Sequence, residues 1–158
     1  MSVKKDFFIK LAEAADAESI VGIVKQSFVQ YCRVIGLETI DALQESEDDV
    51  ILAMESMSVY IACYDGEPVG SFRLKQEGSK VILSRFAVLP EFQRLGIGSK
   101  ILKYAEESSR RSDVEMIELY SATEHRKLKN YYIRHGFKVV EVSEAKGYKR
   151  GVFQKQII

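Results

Sequence analysis

The chain has 158 residues, close to the ~150 of a typical domain, which excludes a multidomain machine and predicts one domain over 1–158. Apolar residues make up 46% and charged residues 29%, a globular mixture that excludes collagen-like, coiled-coil and largely disordered classes. The 23 Lys and Arg balance 23 Asp and Glu, so no global field draws in nucleic acid or an anionic membrane, and a polyanion needs a local site.

Phe7 to Leu11 reads as a short strand. Its apolar run, Phe7-Phe8-Ile9, is too short for a signal segment or a membrane span, and a cytoplasmic protein is expected. Ile20, Ile23, Val24, Phe28, Tyr31 and Cys32 then recur at spacings of three and four, the mark of an amphipathic helix, with Asp16 and Glu18 suited to its positive end. After Gly36, Ile40 and Leu43 suggest a short helix, and Ser46 with Asp49 forms a capping box opening another that carries Val50, Met54 and Met57. Val59–Tyr64, Asp65-Gly66 and Val69–Leu74 read as an antiparallel hairpin, because Asp-Gly favours a turn with positive φ. Val81 to Val88 is a largely apolar run, expected at the centre of a sheet.

Pro90 ends that strand, and Ile97, Ile101, Leu102 and Ala105 line a helix to about Arg111. Glu115–Ser121 is a further strand. Leu128, Tyr131, Tyr132 and His135 sit at helical spacing, with Gly136 placed to cap that helix, before strands over Phe137–Val142 and Val152–Ile158. Strand, helix and strand in succession imply one parallel crossover inside an otherwise antiparallel sheet, an α/β (α+β mixed sheet) fold. Cys32 and Cys63 form no CxxC pair, so two buried thiols are expected, with neither a disulfide framework nor a metal site.

The informative segment is Gln93-Arg94-Leu95-Gly96-Ile97-Gly98-Ser99, between the central strand and a helix. Glycines there let backbone N–H groups close around phosphate oxygens at a helix start, and Arg94 adds charge, so a diphosphate site is the natural reading. A Rossmann fingerprint fails because Ile101 stands where its third glycine belongs. A Walker A loop fails because Ser99 and Lys100 are in the wrong order.

The stretch AVLPEFQRLGIGSKIL resembles the acyl-CoA signature of the GNAT superfamily of N-acetyltransferases, with Gln93, Gly96 and Gly98 on its pattern. HRKLKNYYIRHGF, from His125 to Phe137, is similar to that family's later helix, with Tyr132, Gly136 and Phe137 matching. The resemblance implies a mixed sheet of six to seven strands flanked by four to five helices. It implies acetyl-CoA as co-substrate and an amine as acceptor, reacting in a ternary complex, and leaves a homodimer open. It places the diphosphate over Arg94, Leu95, Gly96, Ile97, Gly98 and Ser99, and the pantetheine amides along the backbone of Phe86, Ala87 and Val88.

Tyr132 then matches the general acid. Since a phenol has pKa ~10 and a thiol ~8.5, full proton transfer is uphill by roughly 2 kcal/mol, and hydrogen-bond donation to the leaving sulfur is the sounder description. Many relatives carry a carboxylate on the central strand, but Ile82, Ser84 and Arg85 occupy it here. Glu118, Glu124 and His125 are the remaining candidates for a base. His125 also stands where the family often has Asn against the pantetheine arm, and Arg126, Lys127 and Lys129 are candidates for the adenosine 3′-phosphate. Six acidic residues between Glu38 and Asp49 suggest either helix caps on a solvated face or a rim favouring cationic acceptors. The competing readings are a non-catalytic acyl-CoA-binding module and an unrelated nucleotide binder.

Overall fold

The computed structural model describes residues 6–145 and 147–158. Strand β1 (Phe7–Leu11) leads into α1 (Ala17–Ile35), the one-turn α2 (Asp41–Gln44) and α3 (Glu47–Ser56). Then follow β2 (Ser58–Tyr64), β3 (Glu67–Glu77), β4 (Lys80–Val88), α4 (Ile97–Arg110), β5 (Met116–Ala122), α5 (Arg126–Arg134), β6 (Lys138–Ala145) and β7 (Tyr148–Gln156). The strands form one seven-stranded sheet in the order β1-β2-β3-β4-β5-β7-β6, with β4 at its centre. Only β4 and β5, the strands joined through α4, run parallel; every other neighbouring pair is antiparallel. This is the expected mixed fold.

Local chemistry explains most boundaries. Asp65 and Gly66 both take positive φ (51° and 81°), as a tight β2–β3 hairpin requires. Ser46 and Asp49 form the capping box of α3, and the left-handed Gly36 ends α1. The last strand starts earlier than the apolar pattern suggested, at Tyr148 rather than Val152. Its polar beginning is held by pairing with β6 on one side, through Ala145↔Tyr148, and with β5 on the other, through Ala122↔Arg150. Pairing of this kind leaves no alternation in the sequence.

Apolar residues cover both faces of the sheet. Ile97, Ile101, Leu102 and Ala105 of α4 join Tyr132 of α5 over Val81, Leu83, Leu119 and Phe153. On the opposite face, Ile20, Ile23 and Val24 of α1 and Val50 of α3 pack on Val59, Ile61 and Ala87. Cys32 and Cys63 are buried free thiols.

Two irregularities position the site. The parallel β4–β5 ladder has only three pairs, Lys80↔Met116, Val81↔Ile117 and Ile82↔Glu118, after which the strands part. On its other edge β4 carries a bulge. Ser71 faces Ala87 and Arg73 faces Ser84, so Arg85 and Phe86 together oppose Phe72. Arg85 takes the left-handed φ of 47° there, a conformation that costs a non-glycine residue roughly 1 kcal/mol or more and re-aims its side chain.

Candidate functional site

Where β4 and β5 separate, a cleft of about 730 Å³ opens. Its walls are the parted strands (Leu83 to Phe86 with Leu119 to Ser121), the Phe28–Tyr31–Val34 stripe of α1, the loop entering α4, and α5. Val88, Gln93, Arg94, Gly98, His125 and Tyr132, expected from the sequence to meet a ligand, all line it together with Phe86. Ala87, Leu95, Gly96, Ile97 and Ser99 do not line it. Ile97 is a core residue, and the Ser99 hydroxyl lies 2.9 Å from His135 Nε2, so these residues offer the site backbone rather than side chains.

The start of α4 supplies donors. Gly96 is the N-cap in the left-handed region (φ 76°), which turns the chain sharply into the helix. The N–H groups of Ile97, Gly98 and Ser99 lie in the first turn, ahead of any intrahelical acceptor, where an anion is favoured by both the free donors and the helix dipole. Gly98 is sterically required, since a Cβ there would stand 2.5 Å from Tyr131 Oη and 3.4 Å from Phe86 Cζ. Gly98→Ala is therefore expected to displace Tyr131 and to cut the melting-temperature rise given by coenzyme A by more than half, as read by a thermal-shift titration. Gln93 Nε2 donates to the Val88 carbonyl at 3.0 Å and to Gln30 Oε1 at 3.1 Å, fastening the end of β4 to α1.

On α5, Tyr132 is 5% exposed, its ring set among Phe86, Tyr131, Phe137 and Phe153. Burial, then the neighbouring Tyr131 and Tyr31, push its phenol far above the ordinary range, so it stays protonated and keeps its O–H as a donor. No described residue accepts from it. His125 caps α5, with Nδ1 accepting from the Leu128 N–H at 3.2 Å, and stacks on Tyr31. Burial lowers its pKa, so the ring is neutral at pH 7 with its proton on Nε2. Tyr31 itself accepts from the Ala122 N–H at 2.8 Å, tying α1 to the free end of β5.

Glu118 is 3% exposed and does not line the cleft. Its carboxylate accepts from Lys80 Nζ (3.2 Å), Tyr120 Oη (2.7 Å) and Gln154 Nε2 (2.8 Å). Burial pushes its pKa up, but these three donors outweigh it and hold the carboxyl below its usual range. Tyr120 does line the cleft, with Arg150 over its ring at 4.6 Å. Glu124 is exposed and outside the cleft, and of the Arg126, Lys127 and Lys129 cluster only Lys127 lines it.

None of the acidic residues between Glu38 and Asp49 lines the cleft. Asp49 caps α3, and Glu45 is enclosed by two guanidiniums. Arg73 binds it bidentately, Nη1 to Oε2 at 2.9 Å and Nη2 to Oε1 at 3.0 Å, and Arg85 Nε reaches Oε1 at 3.0 Å. Burial raises the Glu45 pKa, and the two arginines more than reverse that, keeping it ionised. Sequence reasoning missed Tyr31, Arg85, Tyr120 and Arg134 as lining residues. Only Arg85 carried a signal, as the charged residue inside an otherwise apolar central strand.

The comparisons agree with this geometry. A family model for the acetyltransferase (GNAT) domain matches residues 55–139, more than half of the chain. The PaiA N-acetyltransferase of Thermoplasma acidophilum, solved in complex with coenzyme A, superposes with a TM-score of 0.81 at 18% identity, covering 96% of this chain and 99% of that one. The ribosomal-protein-S18-alanine N-acetyltransferase of Escherichia coli gives 0.76 at 16% identity, covering 96% and 94%. At these identities the structures establish the shared fold. The UPF0157 protein YqkA of Bacillus subtilis (strain 168) is 26% identical over 147 residues, 92% of this chain, which spans only 42% of that protein. No helix among the described residues is long and apolar enough to cross a membrane. On the family match, the parted central strands and the glycine-opened helix start, the chain belongs to the GNAT acetyltransferase family.

Proposed function

We propose that this protein transfers the acetyl group of acetyl-CoA to a primary amine, both substrates meeting in the β4–β5 cleft. The observation that carries the reading is the conjunction in one cleft of an unpaired strand edge, first-turn helix donors and a buried, unpartnered tyrosine hydroxyl. Arg94, Lys127 and Arg134 line the cleft with no lining carboxylate beside them, a charge balance suited to a phosphate-rich ligand. Arg94 and the α4 N–H groups would hold the diphosphate, with Lys127 or Arg134 at the further phosphate. The edge of β4 would bond the pantetheine amides as an added strand does; because the Val88 carbonyl already accepts from Gln93 and Ala87 is paired with Ser71 of β3, Phe86 carries most of that role. His125, with its proton on Nε2, is a donor toward the arm rather than a base.

In the reaction the neutral amine nitrogen bonds to the thioester carbonyl carbon, the C–S bond breaks as the nitrogen gives up a proton to water, and the sulfur leaves as a thiolate that takes a proton back from water. Tyr132 donates its hydrogen bond to that sulfur. Glu118 acts through Tyr120: the Tyr120 O–H points at the Glu118 carboxylate, leaving the phenol's lone pairs to accept from the incoming amine. A carboxylate held below its usual range is a poor proton store, so Glu118 is a positioning residue and the reactive form is the neutral amine drawn from solution.

Thiol release measured with acetyl-CoA over a panel of amines tests the transferase reading. Release is expected to depend on the amine, with kcat/KM rising with pH toward the amine's own pKa, ~10.4 for an alkylamine. A profile levelling off near pH 6 to 7 would show a base in the cleft. Coenzyme A bound without amine-dependent release would favour the binding-module reading, to which the missing cleft carboxylate lends support. Equal thermal stabilisation by ATP would favour the nucleotide binder.

A further inference from the structure

Arg85 is not explained by the cofactor. It sits on the β4 bulge toward the α1–α3 face, bound through Nε to Glu45. Arg94, in the loop entering α4, and Lys127 and Arg134, on α5, are the other cations that line the cleft. Glu45 is saturated: Arg73 takes both of its oxygens, and Arg85 shares one of them. Two guanidiniums around one carboxylate leave the cluster with a net positive charge. The Arg85 side chain is 28% exposed and lines the cleft, and its terminal Nη1 and Nη2 have no partner among the described residues. Arg150, over the Tyr120 ring, adds a second positive charge beside the cleft.

We infer that the acceptor carries an anionic group, a carboxylate, together with its amine, and that Arg85 reads that group through its free Nη1–Nη2 edge. The inference rests on the transferase reading and names its substrate class. The guanidinium fork matches the two oxygens of a carboxylate, and Glu45 fixes the Nε side so that little rotamer freedom is lost on binding. The left-handed backbone at Arg85 has a reason here, because the bulge aims a rigidly held cation into the gap between the strands. The same charges disfavour polyamines: none of the carboxylates between Glu38 and Asp49 lines the cleft, Asp49 caps α3 and Glu45 is held by two arginines.

The test is thiol release with matched acceptors: α-, β- and ω-amino acids, each beside its carboxamide and its decarboxylated amine, with spermidine as the cationic reference. At least one amino acid is expected to exceed its carboxamide by tenfold or more in kcat/KM, the difference lying in KM, and spermidine is expected to be poor. Arg85→Gln is expected to bring the ratio of amino acid to carboxamide to about one, and Arg85→Lys to restore part of it. A melting-temperature rise on coenzyme A binding equal to that of wild type separates this from misfolding. Carboxamides or spermidine used as well as amino acids, or a ratio unmoved by Arg85→Gln, overturns the inference while leaving the transferase reading intact. No thiol release with any amine overturns both.

Discussion

Tyr132→Phe is expected to lower kcat about 100-fold while leaving the thermal shift given by coenzyme A within a degree of wild type. The phenol is buried and its pKa raised, so what is lost is one hydrogen bond to a developing thiolate. A bond to a charged group contributes roughly 1.5–3 kcal/mol, or about 10- to 150-fold in rate. The ring contacts to Phe86, Tyr131, Phe137 and Phe153 survive in phenylalanine, and no described protein group loses a partner. Steady-state thiol release and a ligand melt on the same preparation check both halves. Activity within threefold of wild type would remove Tyr132 from the mechanism, and a collapse of stability would show that its hydroxyl holds the fold.

Glu45→Gln is expected to destabilise the protein by about 3 kcal/mol, because removing one member of a buried ion cluster leaves the other charges uncompensated. Arg73 is 4% exposed, and its Nε already lacks a partner, so it has no solvent route to relieve the loss. For a chain of this size the melting temperature should fall by about 6–12 °C. The pH dependence has a definite sign. The folded-state pKa of Glu45 is lowered, so its stabilisation is complete above the unfolded value of ~4.3 and is lost as pH falls through the lower folded value. Wild type and Glu45→Gln melts should therefore stand furthest apart near neutral pH and begin to draw together as pH falls below ~4.3. Parallel curves from pH 7 to pH 3 would show that the cluster contributes nothing through charge.

What was legible in the sequence was whatever local periodicity or turn chemistry encodes. The β4 run, the α4 stripe, the Asp65-Gly66 hairpin and the Ser46–Asp49 cap each depend on residues within a few positions of one another. The glycine loop and the Tyr132 helix were legible for the same reason. Glu45, Arg85 and Tyr120 were not, because their meaning comes from partners far along the chain. Glu45 looked like part of a solvated acidic face until β3 brought Arg73 to it across the fold. Glu118 looked like a base because a carboxylate on β5 is near the site, yet β7 supplies Gln154 and β4 supplies Lys80 to bury it. The start of β7 was misplaced because polar Lys149 and Arg150 are held by neighbours on both sides rather than by an apolar face.

The short β4–β5 ladder has a mechanical consequence. Three ladder pairs are all the β4–β5 strand pairing between a four-stranded lobe and a three-stranded one, with the bond from the Glu115 N–H to the Ser79 carbonyl just beyond them. A guest threaded along the gap supplies the crossbars that the polypeptide omits, so occupancy and cohesion of the two lobes are linked, each strengthening the other by mass action. On the proposed transferase reading, discharge of the product would loosen the same joint that recruitment of the next guest must tighten, making turnover a cycle of splinting and release.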